Sequence, residues 1–284
     1  MSDTIEAVFD TVAAVAGDVR SVLRSRRSYE AAENPSGEQQ LAADVYADER
    51  LEEELLDLPA VGSYASEERD GLCEDSGAYH VACDPLDGSS NLQSNNGMGT
   101  IVGIYDEQPP APGDALVAAG YVLYGPITTM VTAVGETVTE FLVEDGTREV
   151  LNESVTLPAE PVTYGFGGRA PDWPEAFATF VDAVEADRLK LRYGGAMVAD
   201  VNQVMTYGGI FGYPMLADRP EGKLRLQFEG HPMAYIVEAA GGASSDGVQS
   251  LLGKTPTDIH ERSPVFVGND ALIDDLESTL ADAQ

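Results

Sequence analysis

Apolar residues near the start of the chain fall on one helical stripe. Ile5, Val8, Phe9, Val12, Val15, Ala16, Val19, Val22 and Leu23 recur at steps of three and four, which predicts a long amphipathic helix. A second stripe, Leu41, Val45, Leu51 and Leu55, follows the break at Pro35-Ser36-Gly37 and stops before Pro59, a residue that cannot continue a helix. The apolar runs then shorten. YHVACD, GTIVGIYD, DALVAAGYVLYGP, TTMVTAVGE and TVTEFLVEDG are rich in β-branched and aromatic residues and are parted by Gly, Pro, Asp or Asn, so they predict the strands of a meandering sheet. Beyond Pro158 strands and helices alternate. VTYGFG is followed by a helix carrying Phe177, Phe180, Val181 and Val184, then by helices around Val201 and Ile236, then by PVFVGN and a last helix with Leu272, Ile273 and Leu276. The whole reads as a layered α/β (α+β) chain. At 284 residues with no linker or low-complexity run, it is expected to form two closely packed domains, residues 1–157 and 158–284.

Composition narrows the function. The uninterrupted apolar stretches are of strand length, short of the ~20 residues that cross a bilayer, so no membrane span is expected. The start MSDTIEAVFD lacks a basic segment followed by an apolar one, which predicts a cytoplasmic protein. Cys73 and Cys83 are expected to be two thiols. Against 49 acidic residues stand 16 basic ones, a net charge of −33. The acids are spread through the chain among periodic apolar positions, the pattern of a surface adapted to concentrated salt rather than of an acidic tail, and a field of that sign argues against nucleic acid as a partner.

Candidate chemistry concentrates in a few strings. In VACDPLDGSSNL, Asp84 and Asp87 follow a β-rich run, and a Pro85 turn can aim both carboxylates and the Leu86 carbonyl at one Mg²⁺. The amides of Gly88, Ser89 and Ser90 open the next turn and suit a phosphate; the same residues also suit a plain surface turn. Glu67 and Glu68 stand side by side, either around a cation or on a solvated face. Lysine is scarce: Lys190, Lys223 and Lys254 are the whole set. Lys223 and Arg225 alternate along a predicted strand that ends at Glu229, just before Pro232 opens a helix. That arrangement suits a metal and a second phosphate, or a salt-bridged surface strand. Arg192, Tyr193, Met197 and Tyr213 lie among paired glycines and fit either core or sugar contact. His80, His231 and His260 form no metal-ligand spacing and GxSxG is absent, so neither a zinc site nor a serine nucleophile is supported.

At these residues the chain resembles the class I fructose-1,6-bisphosphatases from about Gly37 onward. The matching strings, in order, are SEE at 66–68, DPLDGSSN at 84–91, GTIxGIY at 99–105, RYxGxMVADV at 192–201, YGGIFxYP at 207–214, KLRLxxE at 223–229 and PMAYxxExAGG at 232–242. The resemblance implies an αβαβα sandwich and a homo-oligomer, tetramer or dimer. It implies two or three Mg²⁺ ions, with Mn²⁺ as a substitute, on Glu67, Glu68, Asp84, the Leu86 carbonyl, Asp87 and Glu229. The residues Asp87, Gly88, Ser89 and Ser90 would hold the 1-phosphate, while Asp44 and Glu68 would help deprotonate the attacking water. Tyr193, Met197, Tyr213, Lys223 and Arg225 would take the sugar and its 6-phosphate, and Arg192 would reach a neighbouring subunit's site. The implied reaction is hydrolysis of fructose 1,6-bisphosphate to fructose 6-phosphate, a gluconeogenic step. The alternatives are sedoheptulose-bisphosphatase or inositol-monophosphatase-like activity, or a non-catalytic sugar-phosphate-binding regulator. Two departures stand out. The family's 6-phosphate loop carries Asn and Tyr where this chain reads YGFGGRAPDW, so Arg169 is a candidate replacement. The family's AMP-binding Lys and Arg positions are Ala78 and Asp106 here, which implies insensitivity to AMP.

Self-repulsion at a charge of −33 is screened when the Debye length falls to ~3 Å near 1 M salt. The melting temperature, followed by circular dichroism, is therefore expected to fall steeply as KCl is lowered from molar to millimolar; a salt-independent value would contradict the halophilic reading.

Overall fold

The computed structural model describes residues 2–35 and 39–282; Ser36 and Gly37 of the expected break lie outside them. The amphipathic start forms α1 (Ser2–Val22). A hairpin of β1 (Tyr29–Glu33) and β2 (Gln39–Leu41) leads into α2 (Ala42–Leu56). Eight strands follow in the first sheet: β3 (Val61–Ser66), β4 (Leu72–Glu74), β5 (Tyr79–Asp87), β6 (Met98–Tyr105), β7 (Leu116–Tyr124), β8 (Thr128–Val134), β9 (Thr137–Glu144) and β10 (Thr147–Asn152). Their order is β10-β9-β8-β7-β6-β5-β3-β4. The run from β5 to β10 is the expected antiparallel meander, whereas β3 joins β5 in parallel. A four-residue helix, α3 (Asn91–Ser94), sits between β5 and β6.

The second half contains β11 (Thr163–Phe166), α4 (Glu175–Ala186), β12 (Lys190–Leu191), α5 (Met197–Tyr207), β13 (Gly209–Tyr213), β14 (Leu224–Arg225), α6 (His231–Ala239), β15 (Ala243–Ser245), β16 (Arg262–Ser263), β17 (Val265–Gly268) and α7 (Asp270–Ala281). A second, five-stranded sheet has the order β12-β11-β13-β17-β15, and β14 pairs with β16 apart from it.

The two-residue period of the strands sorts most of their apolar side chains into three of the four cores among the described residues, the fourth gathering Ala65, Ala82, Tyr105 and Phe228. Val102, Ile104, Ala118 and Val122 face α1 and α2. Their neighbours Ile101, Ala119 and Tyr121 face the opposite way, onto Val198, Val201, Ile236 and Val237 of α5 and α6. Those helices also meet Phe211, Val265 and Val267 of the second sheet. On its far face, Ile210 and Phe266 pack with Phe177, Phe180, Leu272 and Leu276 of α4 and α7. The layers therefore run α1/α2, first sheet, α5/α6, second sheet, α4/α7, an αβαβα sandwich. Among the described residues no helix is long and apolar enough to cross a membrane, and both cysteines are free.

Two local expectations are corrected. The Asp84–Asp87 segment is not a turn after a strand: β5 continues through it with a bulge against β6, where Asp84 pairs with Ile101 and Asp87 with Gly99. Thr100 Oγ1 donates to the Pro85 carbonyl at 2.9 Å and anchors the bulge, which re-aims two side chains without breaking the ladder. Glu229 does not end a strand either. β14 is two residues long, and Leu226–Gly230 wind into a π-helical turn that leads into α6, a form of helix common at functional sites.

Candidate active site

The bulge and the π turn face each other. Carboxylate oxygens of Asp84, Asp87 and Glu229 lie within 4.8 Å of one another, and all three residues are buried. Main-chain amides hold each one. Leu86 N–H donates to Asp84 Oδ1 (3.0 Å), Val198 N–H at the start of α5 donates to Asp87 Oδ2 (2.7 Å), and Arg225 N–H donates to Glu229 Oε2 (2.6 Å). Glu67 and Glu68, just past β3, complete the acidic wall; Glu67 N–H donates to the Cys83 carbonyl beside Asp84 (3.1 Å). Asp44 enters from the first turn of α2, where its Oδ2 accepts from Leu41 N–H at 2.7 Å. That bond satisfies one of the helix's orphan donors and orients the carboxylate.

Burying like charges together raises the cost of ionising them. Burial, then the Glu67 charge, pushes Asp84 and Glu229 well above the ordinary carboxylate range. Burial pushes Asp87 up to about 7, opposed by the Val198 N–H. Burial likewise pushes Glu68 up to about 8, opposed by Gln40, whose Nε2 donates to Glu68 Oε2 at 2.6 Å. Such a set of hard, buried and mutually repelling oxygens fits a divalent cation of the Mg²⁺ class, which would replace the protons.

The same groups line a cavity of about 470 Å³ together with Gly88, Ser89, Ser90, Tyr193, Met197, Asp200, Tyr213, Lys223 and Arg225. In the 88–90 turn, the amides of Asn91, Leu92 and Gln93 bond back to the carbonyls of Gly88, Ser89 and Ser90. The N–H groups of the turn's opening residues have no such use within it, so they are available to an anion. Gly88 has φ +70°, and a Cβ there would come within 2.2 Å of Ala196 Cβ, so no other residue fits so close to α5. At the other end of the cavity the Lys223 ammonium lies 5.7 Å from the centre of the Tyr213 ring.

Known proteins resemble this chain along nearly its whole length. The family models named Fructose-1-6-bisphosphatase, N-terminal domain and C-terminal domain, match residues 5–151 and 157–281. The chain belongs to the fructose-1,6-bisphosphatase family. Within class 1 of that family, the protein of Natronomonas pharaonis is 66% identical over 283 residues, which cover 99% of this chain and 100% of that one. The Halobacterium salinarum protein of the same name is 56% identical and covers 99% of each chain. Both belong to halophilic archaea. Among solved structures, Leishmania major fructose-1,6-bisphosphatase superposes with a TM-score of 0.92 at 28% identity, over 98% of this chain and 94% of that one. A structure titled putative sedoheptulose-1,7 bisphosphatase from Toxoplasma gondii gives 0.91 at 28% identity, over 99% and 95%.

In this fructose-1,6-bisphosphatase family member the structure gathers Asp44, Glu67, Glu68, Asp84, Leu86, Asp87, Gly88, Ser89, Ser90, Tyr193, Met197, Tyr213, Lys223, Arg225 and Glu229 around one cavity. Lys223 and Arg225 part company there. The Arg225 guanidinium is buried, 3.2 Å from Glu67 Oε1, with NH1 on the Lys223 carbonyl at 3.2 Å, so it serves the acidic wall while Lys223 faces Tyr213. Arg192 is exposed and outside the cavity, with NH1 on the Leu191 carbonyl. Arg169 is also exposed and outside it, because Gly167 packs against the Tyr213 ring, at 2.2 Å from a Cβ built there, and the chain then turns away. Sequence reasoning missed Gln40 and Asp200. Asp200 is buried and accepts from Gly194 N–H (2.6 Å) and Gly195 N–H (3.1 Å). Burial pushes it up to about 6 against these bonds. An acid just inside a helix start, after paired glycines, was the available signal for it; Gln40 carried none.

Raised carboxyl pKa values have a definite sign. A group that holds its proton more tightly in the folded state stabilises the fold below its unfolded pKa, and that contribution is lost as pH rises through the folded value. With Glu68 at about 8 and Asp87 at about 7, chelator-treated protein in molar KCl is expected to melt at lower temperature at pH 9 than at pH 6. A flat profile across that window would contradict the burial of ionisable carboxylates here.

Proposed function

We propose that the chain hydrolyses the 1-phosphate ester of fructose 1,6-bisphosphate, releasing phosphate and fructose 6-phosphate, and that it does so with two or three Mg²⁺ ions, Mn²⁺ substituting. The observation that carries this reading is the convergence of Asp84, Asp87 and Glu229 within 4.8 Å beside a phosphate-sized turn and a lone lysine in one cavity. These oxygens, with Glu67, Glu68 and the Leu86 carbonyl, would hold Mg²⁺, which would supply a Lewis acid for the phosphoryl oxygens and lower the pKa of bound water.

The chain's own groups supply the rest. The amides of Gly88, Ser89 and Ser90 hold the 1-phosphate. Glu68 and Asp44 help remove the proton of the attacking water. Met197 forms an apolar wall of the cavity, and Tyr193 and Tyr213 border the sugar. Lys223 takes the 6-phosphate, and Arg225 offsets the Glu67 charge. Arg192, outside its own cavity, serves a neighbouring subunit in a homo-oligomer, tetramer or dimer. On this reading the reaction is a gluconeogenic step carried out in the cytoplasm.

A seven-carbon bisphosphate is the second reading, favoured by the likeness to the Toxoplasma gondii structure. Phosphate release from fructose 1,6-bisphosphate, sedoheptulose 1,7-bisphosphate and inositol 1-phosphate, with and without Mg²⁺ in molar KCl, decides between them. Fructose 1,6-bisphosphate is expected to give the highest kcat/KM, and release without Mg²⁺ should be negligible.

Asp84→Asn is expected to lower turnover by orders of magnitude at any Mg²⁺ concentration; unchanged turnover would remove Asp84 from the site. Lys223→Ala is expected to raise KM for the bisphosphate by about 10- to 150-fold, since a hydrogen bond to a charged group contributes ~1.5–3 kcal/mol. The KM for fructose 1-phosphate should change far less, and equal shifts on both substrates would place Lys223 elsewhere.

A further inference from the structure

We infer that Arg69 is a positioning residue: it ties together the separate segments that carry the acidic wall, so that affinity for the divalent cation depends on its guanidinium. This rests on the reading that Glu67, Glu68, Asp84 and Glu229 hold that cation.

Arg69 directly follows Glu68. Its side chain turns away from the cavity onto α2, where Nε donates to Asp48 Oδ2 at 2.5 Å and NH1 lies 2.7 Å from Glu52 Oε2. Asp44, Asp48 and Glu52 are spaced by four and share one face of that helix. Asp48 is buried, and its other oxygen accepts from Tyr64 Oη at 3.1 Å. The helix that presents Asp44 is thereby locked to the turn that presents Glu67 and Glu68.

The backbone of Arg69 makes the second tie. Its carbonyl accepts from His260 Nε2 at 2.7 Å, and the His260 ring lies 5.3 Å from that of Phe228, the residue before Glu229. Arg69 N–H donates to the Ser66 carbonyl at 3.3 Å, and Glu67 N–H donates to the Cys83 carbonyl, next to Asp84. Segments bearing Asp44, Glu67–Glu68, Asp84 and Glu229 thus meet within one or two bonds of Arg69.

Arg69 does not line the cavity, so it touches neither substrate nor cation. Its contribution is geometric, and the planar fork with five donors can hold two carboxylates where an ammonium holds one. Without it, Asp48 would be left buried and uncompensated beside a wall that is already negative, and the wall's spacing would relax.

The test measures Mn²⁺ affinity by electron paramagnetic resonance in molar KCl, alongside kcat, KM and the Mg²⁺ midpoint of activity. Arg69→Gln is expected to weaken Mn²⁺ about tenfold or more, the loss usual for a group that orients ligands. The Mg²⁺ midpoint should rise by the same factor, while KM for fructose 1,6-bisphosphate at saturating Mg²⁺ stays within about threefold of its starting value. Arg69→Lys should recover part of the affinity. Arg148→Gln is the control: Arg148 also bridges two carboxylates, Glu6 and Asp10, away from the cavity, so its loss should lower the melting temperature and leave Mn²⁺ affinity unchanged. Mn²⁺ affinity within about twofold of the parent in Arg69→Gln, or an equal loss in Arg148→Gln, overturns the inference alone. If Arg69→Gln does not fold, Asp48→Asn, which keeps the side chain's shape, is read by the same criterion. Absence of Mn²⁺ binding in the unsubstituted protein overturns this inference together with the metal reading beneath it.

Discussion

Mutual repulsion among largely buried carboxylates is the constraint around which this molecule is arranged. Asp84, Asp87 and Glu229 are each at most 6% exposed, and Glu67, Glu68 and Asp44 close around them in a chain that already carries −33. Basic side chains could offset so much charge, but the chain has 16 against 49 acids. The main chain does most of the work instead. Amides of Leu86, Val198, Arg225 and Leu41 each donate to one of these carboxylates, and every such donor belongs to a bulge, a helix start or a π turn. Irregular backbone is where spare N–H groups exist, because a regular ladder or helix interior consumes its own. The irregularities therefore follow from the need to hold anions with neutral donors.

The layered architecture brings those irregularities together. β5 lies inside the first sheet and carries Asp84 and Asp87 out on its bulge, while α5, in the middle layer, aims its first N–H groups at Asp87 from the other side. The π turn before α6 adds Glu229 from the second half of the chain, and α2 brings Asp44 from the outer layer. The site thus draws on several layers, and its spacing depends on their packing. Two cations hold it together. Arg225 is buried against Glu67, and Arg69 clamps α2 to the turn after β3, a geometric role that a diffuse counter-ion could not fill.

Much of this was legible before any coordinates. The stripe from Ile5 to Leu23, the five meander strands, and the helices at Phe177–Val184 and Leu272–Leu276 could be read because each hydrophobic period faces one continuous core. The acidic string from Asp84 to Ser90 could be read because its residue types are unusual together. What escaped shares a physical cause. β4 and β10 are short or exposed edges with little apolar signal. The bulge looked like a turn because Pro85 and the aspartates have turn propensities; the pairing with β6 that overrides them is long-range. Gln40 and Arg69 were invisible for the same reason, since each acts through a partner distant in sequence, Glu68 for one and Asp48 for the other.

The acidic surface and the anionic substrate proposed here look incompatible until screening is considered. At low ionic strength a −33 chain would repel a sugar bisphosphate over tens of ångströms. At molar salt the Debye length is ~3 Å, about the length of one hydrogen bond, so the substrate meets only the groups it touches. Inside the cavity the contacts proposed for it are the amides of the 88–90 turn, the hydroxyls of Tyr193 and Tyr213, and the Lys223 ammonium, all of which belong to residues of the lining. Long-range steering by basic patches, which ordinarily raises association rates, would have no reach under these conditions. Scarcity of lysine on the surface then costs the enzyme little, while a lysine in the cavity keeps its full effect, because a partly enclosed charge is screened far less than an exposed one. One physical rule therefore accounts both for the scarcity of lysine outside and for its retention at Lys223.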